Sequence, residues 1–159
     1  MSSLQFDESL ILKDMEVSSK EEAISLMADR LAEKGFVKSS YKQAVLEREE
    51  EFSTGLPTHG CSVAIPHTDS KHVNQKAISL AILKHPVIFG VMGECTTTPV
   101  KLIFMLAMDE EHSQLTLLQR LMQIFQNAEM LHYFCKETDK SKIKEKVLTQ
   151  LEFSLKGGE

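Results

Sequence analysis

The sequence predicts a single α/β domain, a layered sandwich in which a mixed β-sheet is flanked by α-helices on both faces. Two near-continuous apolar runs of strand length, residues 77–83 and 100–108, are typical of interior strands that are buried on both faces. Segments with helical spacing precede and follow these runs, so helices are available for both faces of a sheet of three or four strands. We assign residues 1–153 to the domain and expect residues 154–159 to be a frayed tail.

The N-terminal half is expected to hold an extended arm and two helices. Residues 4–12 contain the apolar contacts of a short strand or arm. The serine and glutamate residues of segment 18–22 give two overlapping capping-box signals for a first helix, which Gly35 ends. A serine at position 39 or 40 caps a second helix, which carries Arg48 in its last turn or two.

The C-terminal half is expected to change from strands to helices. Between the two apolar runs, residues 86–90 could form an edge strand and residues 93–99 a loop. Apolar spacing then predicts a helix over residues 115–125, a second helix capped by Asn127, and a last helix that opens at residue 138 or 139.

The composition is that of an ordinary globular protein. Hydrophobic residues make up 42% and charged residues 26% of the 159 positions, enough for one buried core without metal or disulfide staples. The net charge of -5, with no basic stretch to offset it, argues against nucleic-acid binding. No apolar run reaches the length of a membrane span, and Asp7 and Glu8 do not fit a secretory signal. We expect a cytoplasmic protein with no direct membrane insertion.

The candidate site is the stretch from residue 48 to residue 69, and its focus is His67. A turn-rich loop at residues 54–60 leads into the short apolar run 63–65, and His67 follows directly after Pro66. A histidine at the end of a strand, beside a Gly/Pro loop, lies where chemistry is usually done. Near neutral pH its ring keeps one lone pair available, while the other nitrogen donates a hydrogen bond that fixes the tautomer.

A phosphoryl group on His67 would need hydrogen-bond donors around it. Arg48 offers a planar fork of donors and Thr54 a hydroxyl. His112 offers a second imidazole at the exit of the strand 100–108. Each also fits an ordinary structural role: an ion pair on a solvated helix, the start of a turn, and a helix cap, respectively.

The residues alone also allow other chemistries at this site. His59, His67 and His72, with Asp69, could bind zinc, although their spacing matches no compact ligand motif. A nucleotide-binding glycine motif is absent from the sequence, and we expect neither a metal nor a cofactor.

The three cysteines, Cys61, Cys95 and Cys135, are scattered and lack CxxC spacing. We expect reduced thiols rather than disulfides or structural zinc. A Cys61 nucleophile with His67 as its base would require the loop to fold back, because about 20 Å of extended chain separates them at ~3.3 Å per residue.

The motif R-E-x-x-F-x-T-G at residues 48–55, followed by V-A-I-P-H at residues 63–67, strongly resembles the signature of the enzyme IIA domains of the fructose/mannitol class in the bacterial sugar phosphotransferase system. The resemblance covers nearly the whole chain. It implies that His67 accepts a phosphoryl group from the carrier protein HPr and passes it to a cysteine of enzyme IIB. That cysteine phosphorylates the sugar as it enters through the membrane component, enzyme IIC. Arg48, Thr54 and His112 would belong to the phosphoryl-binding surroundings.

The resemblance also suggests a branch of the family. The segment 51–55 and His72 look most like the galactitol-specific branch, whereas the segment 110–112 is more similar to mannitol and fructose members. Galactitol is therefore favoured, with mannitol or fructose next. The alternative function is that of a regulatory protein, similar to the nitrogen-related paralogues, whose phosphorylation state changes which partner it holds.

Overall fold

Five β-strands form one mixed sheet in the computed structural model, which describes residues 4–157, the side chains of Ser113 and of residues 152–157 excepted. The strands are β1 (Ile11–Met15), β2 (Gly55–Leu56), β3 (Ser62–Ala64), β4 (Ala77–Gly90) and β5 (Thr97–Ala107). Their spatial order is β1-β4-β5-β3-β2. β1 is parallel to β4 and β3 to β5, whereas β4 is antiparallel to β5 and β2 to β3. The predicted mixed sheet is confirmed, with five strands instead of three or four.

Helices cover both faces of this sheet, as predicted. Within residues 4–157 they are α1 (Lys20–Glu33), α2 (Tyr41–Glu51), α3 (Glu111–Phe125), α4 (Ala128–Lys136) and α5 (Lys140–Gly157). α1 packs on α2 and contacts β4 and β5, whereas α3 packs on both α4 and α5. α5 continues through residues 154–157 of the expected tail, and residues 158 and 159 lie outside the described part. None of the helices in the described part is long and apolar enough to cross a membrane.

The ends of α1 follow the predicted signals. The Ser19 hydroxyl accepts a hydrogen bond from the amide of Glu22 at 3.1 Å, and the Glu22 carboxylate accepts one from the amide of Ser18 at 2.8 Å. At the other end, Gly35 has φ +79°. The amides of Gly35 and Phe36 donate to carbonyls of the last helical turn, which is the Schellman arrangement.

The start of α2 differs from the prediction. Ser40 precedes the helix, but its φ of -78° and ψ of -12° are already helical, and its hydroxyl does not cap α2. The hydroxyl instead lies 2.7 Å from Nδ1 of His72. Asn127 does cap α4 through the amide of Met130 at 3.1 Å. Asp139, immediately before α5, accepts a hydrogen bond from a first-turn amide of that helix at 2.9 Å.

The interpretation of residues 86–90 as a separate edge strand is wrong. They form the second half of β4 and pair with the beginning of β5, with Gly90 opposite Thr97. An irregularity in the pairing around Pro86 separates the two halves of β4, because proline cannot donate to the ladder. β5 consequently starts inside the predicted loop 93–99.

The interior strands carry the core. Residues 77–83 of β4 and 102–107 of β5 are buried throughout, which confirms the prediction for the two apolar runs. Phe104 of β5 packs against Phe125 of α3 and Phe134 of α4, with ring centroids 5.4 and 6.3 Å apart. These contacts fix the helices against the strand that runs beside the candidate site.

Candidate functional site

His67 follows shortly after the end of β3, where the chain still runs beside β5. β3 is parallel to β5, and the amide of Leu106 still donates to the Pro66 carbonyl at 3.1 Å after β3 has ended. The chain is therefore held beside β5 up to the residue before His67. Carboxyl ends of parallel strands are common positions for ligand-binding side chains in α/β sheets.

The backbone fixes the orientation and tautomer of the His67 ring. Nδ1 lies 2.7 Å from the carbonyl oxygen of Ile65. A carbonyl only accepts hydrogen bonds, so Nδ1 carries the proton and Nε2 keeps its lone pair. Burial lowers the pKa of His67 below its ordinary value, and the charge of Arg48 acts in the same direction. The Ile65 hydrogen bond and Asp69 raise it by less, so the neutral ring is favoured.

Arg48 lies in the last turn of α2, and its guanidinium carbon is 4.7 Å from the centre of the Phe52 ring. This distance is that of a cation-π contact. Among the described residues the guanidinium forms no ion pair with a carboxylate. The donors of Arg48 therefore remain available to an anion, unlike those of an arginine paired with neighbouring glutamates.

A buried carboxylate holds the loop before His67. Glu49 is only 2% exposed, and its carboxylate accepts hydrogen bonds from both the amide and the hydroxyl of Thr54, each at 2.7 Å. The Thr54 oxygen in turn accepts a hydrogen bond from the amide of Ile65 at 3.3 Å. We call Glu49, Thr54 and Ile65 the clamp, because this chain of hydrogen bonds leads to the carbonyl that orients His67.

The clamp changes how two residues are interpreted. The Thr54 hydroxyl donates its hydrogen bond to Glu49 and accepts one from the Ile65 amide, so Thr54 is linked to His67 through Ile65 and its hydroxyl proton is already engaged. Glu49 is not among the predicted site residues, although it stands in the R-E-x-x-x-x-T-G motif. Burial raises its pKa, and the two hydrogen bonds from Thr54 oppose that shift. Both carboxylate oxygens accept hydrogen bonds, which fits an ionised side chain.

Three of the four predicted site residues share one cavity of about 280 Å³. Arg48, Thr54 and His67 line it together with apolar side chains from four parts of the fold. These apolar residues are Phe52, Ile65, Met92, Leu118 and Met122. Phe52 is 54% exposed, and Met92 and Met122 are each 38% exposed, so the rim presents apolar surface to solvent.

His112 lies elsewhere. It is exposed in the first turn of α3 and lines a second cavity with Lys76 and Thr116 among others. α3 does reach the His67 cavity, but through Leu118. At 3.6 residues per turn, positions 112 and 118 point about 120° apart around a helix, so the two side chains serve different faces of α3.

The zinc and cysteine alternatives are not supported by the geometry. The His72 ring is engaged by Ser40, and His59 lines a third cavity, beside Phe125. Across the described residues, no three or more His, Cys, Asp or Glu side chains are grouped so that they could hold a metal ion. The sulfur of Cys61 lies 3.4 Å from that of Cys135, so the partner of this thiol is a second thiol and not His67.

Several curated proteins resemble the chain, among them a transcriptional regulator and a sugar-transport component. The transcriptional regulator ManR of Bacillus subtilis is 30% identical over 132 residues, which are 82% of this chain but only 19% of ManR. The galactitol-specific EIIA component of the Escherichia coli phosphotransferase system is 29% identical over 102 residues, 64% of this chain and 68% of that protein. The chain thus spans about a fifth of the first relative and about two thirds of the second.

The fold is also that of a solved protein. Enzyme IIAMTL of E. coli, in its complex with phosphorylated enzyme IIBMTL, superposes with a TM-score of 0.72 at 22% identity, covering 94% of this chain and 99% of that one. The family model described as the phosphoenolpyruvate-dependent sugar phosphotransferase system, EIIA 2, matches residues 4–150. Since this match includes nearly all of the sequence, the chain belongs to the EIIA 2 family of phosphotransferase-system components.

Proposed function

We propose that the chain is a phosphocarrier whose His67 accepts a phosphoryl group from the phosphohistidine of HPr and donates it to a cysteine of enzyme IIB. The observation that carries the proposal is the orientation of the ring: Nδ1 is held 2.7 Å from the Ile65 carbonyl. His67 also lines a cavity with Arg48, whose guanidinium forms no ion pair with the described carboxylates. This arrangement leaves Nε2 as the nucleophile. The solved complex of IIAMTL with phosphorylated IIBMTL supports enzyme IIB as the class of acceptor.

The proposed reaction exchanges one bond to phosphorus at each step. Nε2 of His67 attacks the phosphorus, a new N-P bond forms, and the N-P bond to the HPr imidazole breaks. A thiolate of enzyme IIB then attacks, an S-P bond forms, and the His67 ring leaves as the neutral tautomer with its proton on Nδ1. The lowered pKa of His67 favours the unprotonated nucleophile near neutral pH.

Arg48 is the proposed stabiliser of the transferred group. Phosphoryl transfer depends mainly on in-line positioning and on donors to the equatorial oxygens. The guanidinium lines the same cavity as His67, and the Phe52 ring beneath it restricts its position. The planar fork of N-H groups can contact two phosphoryl oxygens in a fixed bidentate geometry, which the single ammonium group of a lysine does not provide.

Thr54 enters the proposal as a positioning residue, through the clamp. His112 was expected to provide a second imidazole, yet it lines a different cavity. A direct part in transfer would require its side chain to turn towards the His67 cavity when a partner protein is bound. The His112→Ala variant distinguishes such a direct part from a structural role.

The surroundings of His67 suit a protein surface. The rim side chains Phe52, Met92 and Met122 are partly exposed apolar groups around a polar centre. Exposed apolar surface of this kind, with a polar catalytic group inside it, is typical of a protein-docking site. HPr and enzyme IIB would use it in turn, and enzyme IIC would be reached only through enzyme IIB.

Galactitol is the proposed sugar, with mannitol or fructose next. The galactitol-specific EIIA relative and the segment 51–55 support this order. In this proposal the site receives a phosphoryl group from one protein and passes it to another, and it does not bind the sugar. The choice of enzyme IIB therefore sets the sugar.

A regulatory function is the second candidate, because ManR is a transcriptional regulator and is 30% identical. In that case phosphorylation of His67 would change which partner is held. Genes for enzymes IIB and IIC beside the gene for this chain would favour transport.

Labelling with radioactive phosphoenolpyruvate, enzyme I and HPr tests the proposal. We expect the wild-type chain to take up one phosphoryl group and His67→Ala to take up none. His59→Ala is the matched control, since His59 is exposed and lines a different cavity. Undiminished labelling of His67→Ala would rule out this acceptor. Transfer from the labelled chain to a panel of enzyme IIB proteins identifies the sugar branch, and transfer to none of them favours the regulatory function.

A further inference from the structure

Two cysteines that are distant in sequence meet in the fold. Cys61 lies immediately before β3, and Cys135 lies in the last turn of α4. Their sulfur atoms are 3.4 Å apart, both residues are partly buried, and both are free thiols. The third cysteine, Cys95, is exposed in the hairpin between β4 and β5. The sequence predicted reduced thiols, but it did not predict that two of them form a close pair.

The backbone brings the two thiols together. A Cβ placed on Gly60 would lie 3.2 Å from Cβ of Leu131 and 3.3 Å from the carbonyl oxygen of Ala128, so the chain before Cys61 packs directly on α4. The Thr58 hydroxyl donates to the Cys61 carbonyl at 2.7 Å and accepts from the Gly60 amide at 3.0 Å. The sulfur atoms must approach by only about 1.4 Å to reach a disulfide bond length of about 2.05 Å.

The two thiols differ in reactivity. The hydrogen bond from Cys61 lowers the pKa of Cys135 to about 7, and the ammonium groups of Lys101 and Lys13 add to this against the effect of burial. The same hydrogen bond and burial raise the pKa of Cys61. Cys135 is therefore the thiol that ionises more readily, and the more reactive of the two.

We propose that Cys61 and Cys135 form a thiol-disulfide exchange site for low-molecular-weight disulfides. The Cys135 thiolate attacks one sulfur of the small disulfide, forms a mixed disulfide and releases one small thiolate. Cys61 then loses its proton and attacks the Cys135 sulfur, and the second small thiolate leaves. The two protein thiols are oxidised to one disulfide, and the small disulfide is reduced to two thiols.

The resulting bond would join the beginning of β3 to α4, across 74 positions of sequence. β3 leads directly to His67, so the bond would anchor the strand that carries the candidate site. The proposal does not depend on phosphoryl transfer, because it uses neither His67 nor Arg48.

Exposure to glutathione disulfide, followed by acid quenching, alkylation and peptide mapping, tests the site. We expect a disulfide between residues 61 and 135 within one molecule, and only a mixed disulfide at Cys95. After oxidation, the intact mass of the Cys95→Ser variant should be lower than that of its reduced form by two hydrogen atoms, with no glutathione attached. The oxidised form should melt higher, by on the order of 10 °C, because the bond closes a long loop.

The single variants test the order of the steps. Cys61→Ser should stop at a mixed disulfide on Cys135, and Cys135→Ser should react more slowly at Cys61. Cys61→Ala repeats the first test if the serine disturbs folding. Two stable glutathione adducts on Cys95→Ser, or disulfides only between molecules, would overturn the proposal.

Discussion

Replacing Glu49 with glutamine tests whether the clamp holds His67 in its reactive orientation. The carboxylate accepts two hydrogen bonds from Thr54, one at each oxygen. A glutamine amide can accept at only one of its two terminal atoms, so one Thr54 donor loses its acceptor. A hydrogen bond to a charged group contributes about 1.5–3 kcal/mol, and the surviving bond becomes a weaker neutral one. We expect the free energy of unfolding to fall by about 2–4 kcal/mol.

The same change should slow phosphoryl transfer. Thr54 accepts from the Ile65 amide, and the Ile65 carbonyl fixes Nδ1 of His67. A displacement of the ring by about 1 Å can reduce a rate by two orders of magnitude, so we expect a 10- to 100-fold loss.

Urea denaturation measures the first effect of Glu49→Gln, and rapid-quench transfer from phosphorylated HPr measures the second. Glu50→Gln is the matched control, because Glu50 is the neighbouring exposed glutamate of α2. An unfolding free energy within about 0.5 kcal/mol of the control, together with a transfer rate within about twofold of it, would refute the clamp as a determinant of the site.

Three further predictions concern the ring and its surroundings. Arg48→Lys should slow transfer about tenfold although the charge is kept, and rapid-quench rates equal to wild type would exclude a bidentate contact. His112→Ala should leave uptake from HPr intact but slow transfer to enzyme IIB, if His112 turns into the site; an unchanged single-turnover rate would make it a structural residue. NMR titration should give His67 a pKa below 6.5. The unfolded chain then binds more protons, so the unfolding free energy should fall as the pH drops from about 6.5 through that lower pKa, and His67→Gln should flatten this slope. A raised pKa would contradict the assigned environment.

The fold could largely be predicted because its interior strands are long and continuously apolar. The second half of β4 was misread since Lys84, His85 and Pro86 are exposed and interrupt the apolar run. β2 was missed because two residues within a turn-rich loop carry no periodic signal. Both segments become strands because they pair with strands that are distant in the sequence.

The site residues that belong to a local sequence motif could be predicted. Arg48, Thr54 and His67 do line one cavity. Glu49 was overlooked because a glutamate beside an arginine on a helix normally faces solvent, and only the tertiary fold buries it. The contact between Cys61 and Cys135 likewise depends on how the loop before β3 packs on α4, which the spacing of residues along the chain cannot show.

The central claim is that Nε2 of His67 carries the phosphoryl group. The measurement that tests it most directly is NMR of the nitrogen-15-labelled chain after phosphorylation by phosphoenolpyruvate, enzyme I and HPr, in which phosphorus-nitrogen coupling identifies the modified atom. We predict one phosphohistidine, with phosphorus on Nε2 of His67 and the proton retained on Nδ1. Phosphorus on Nδ1, or on any other residue, would contradict the account.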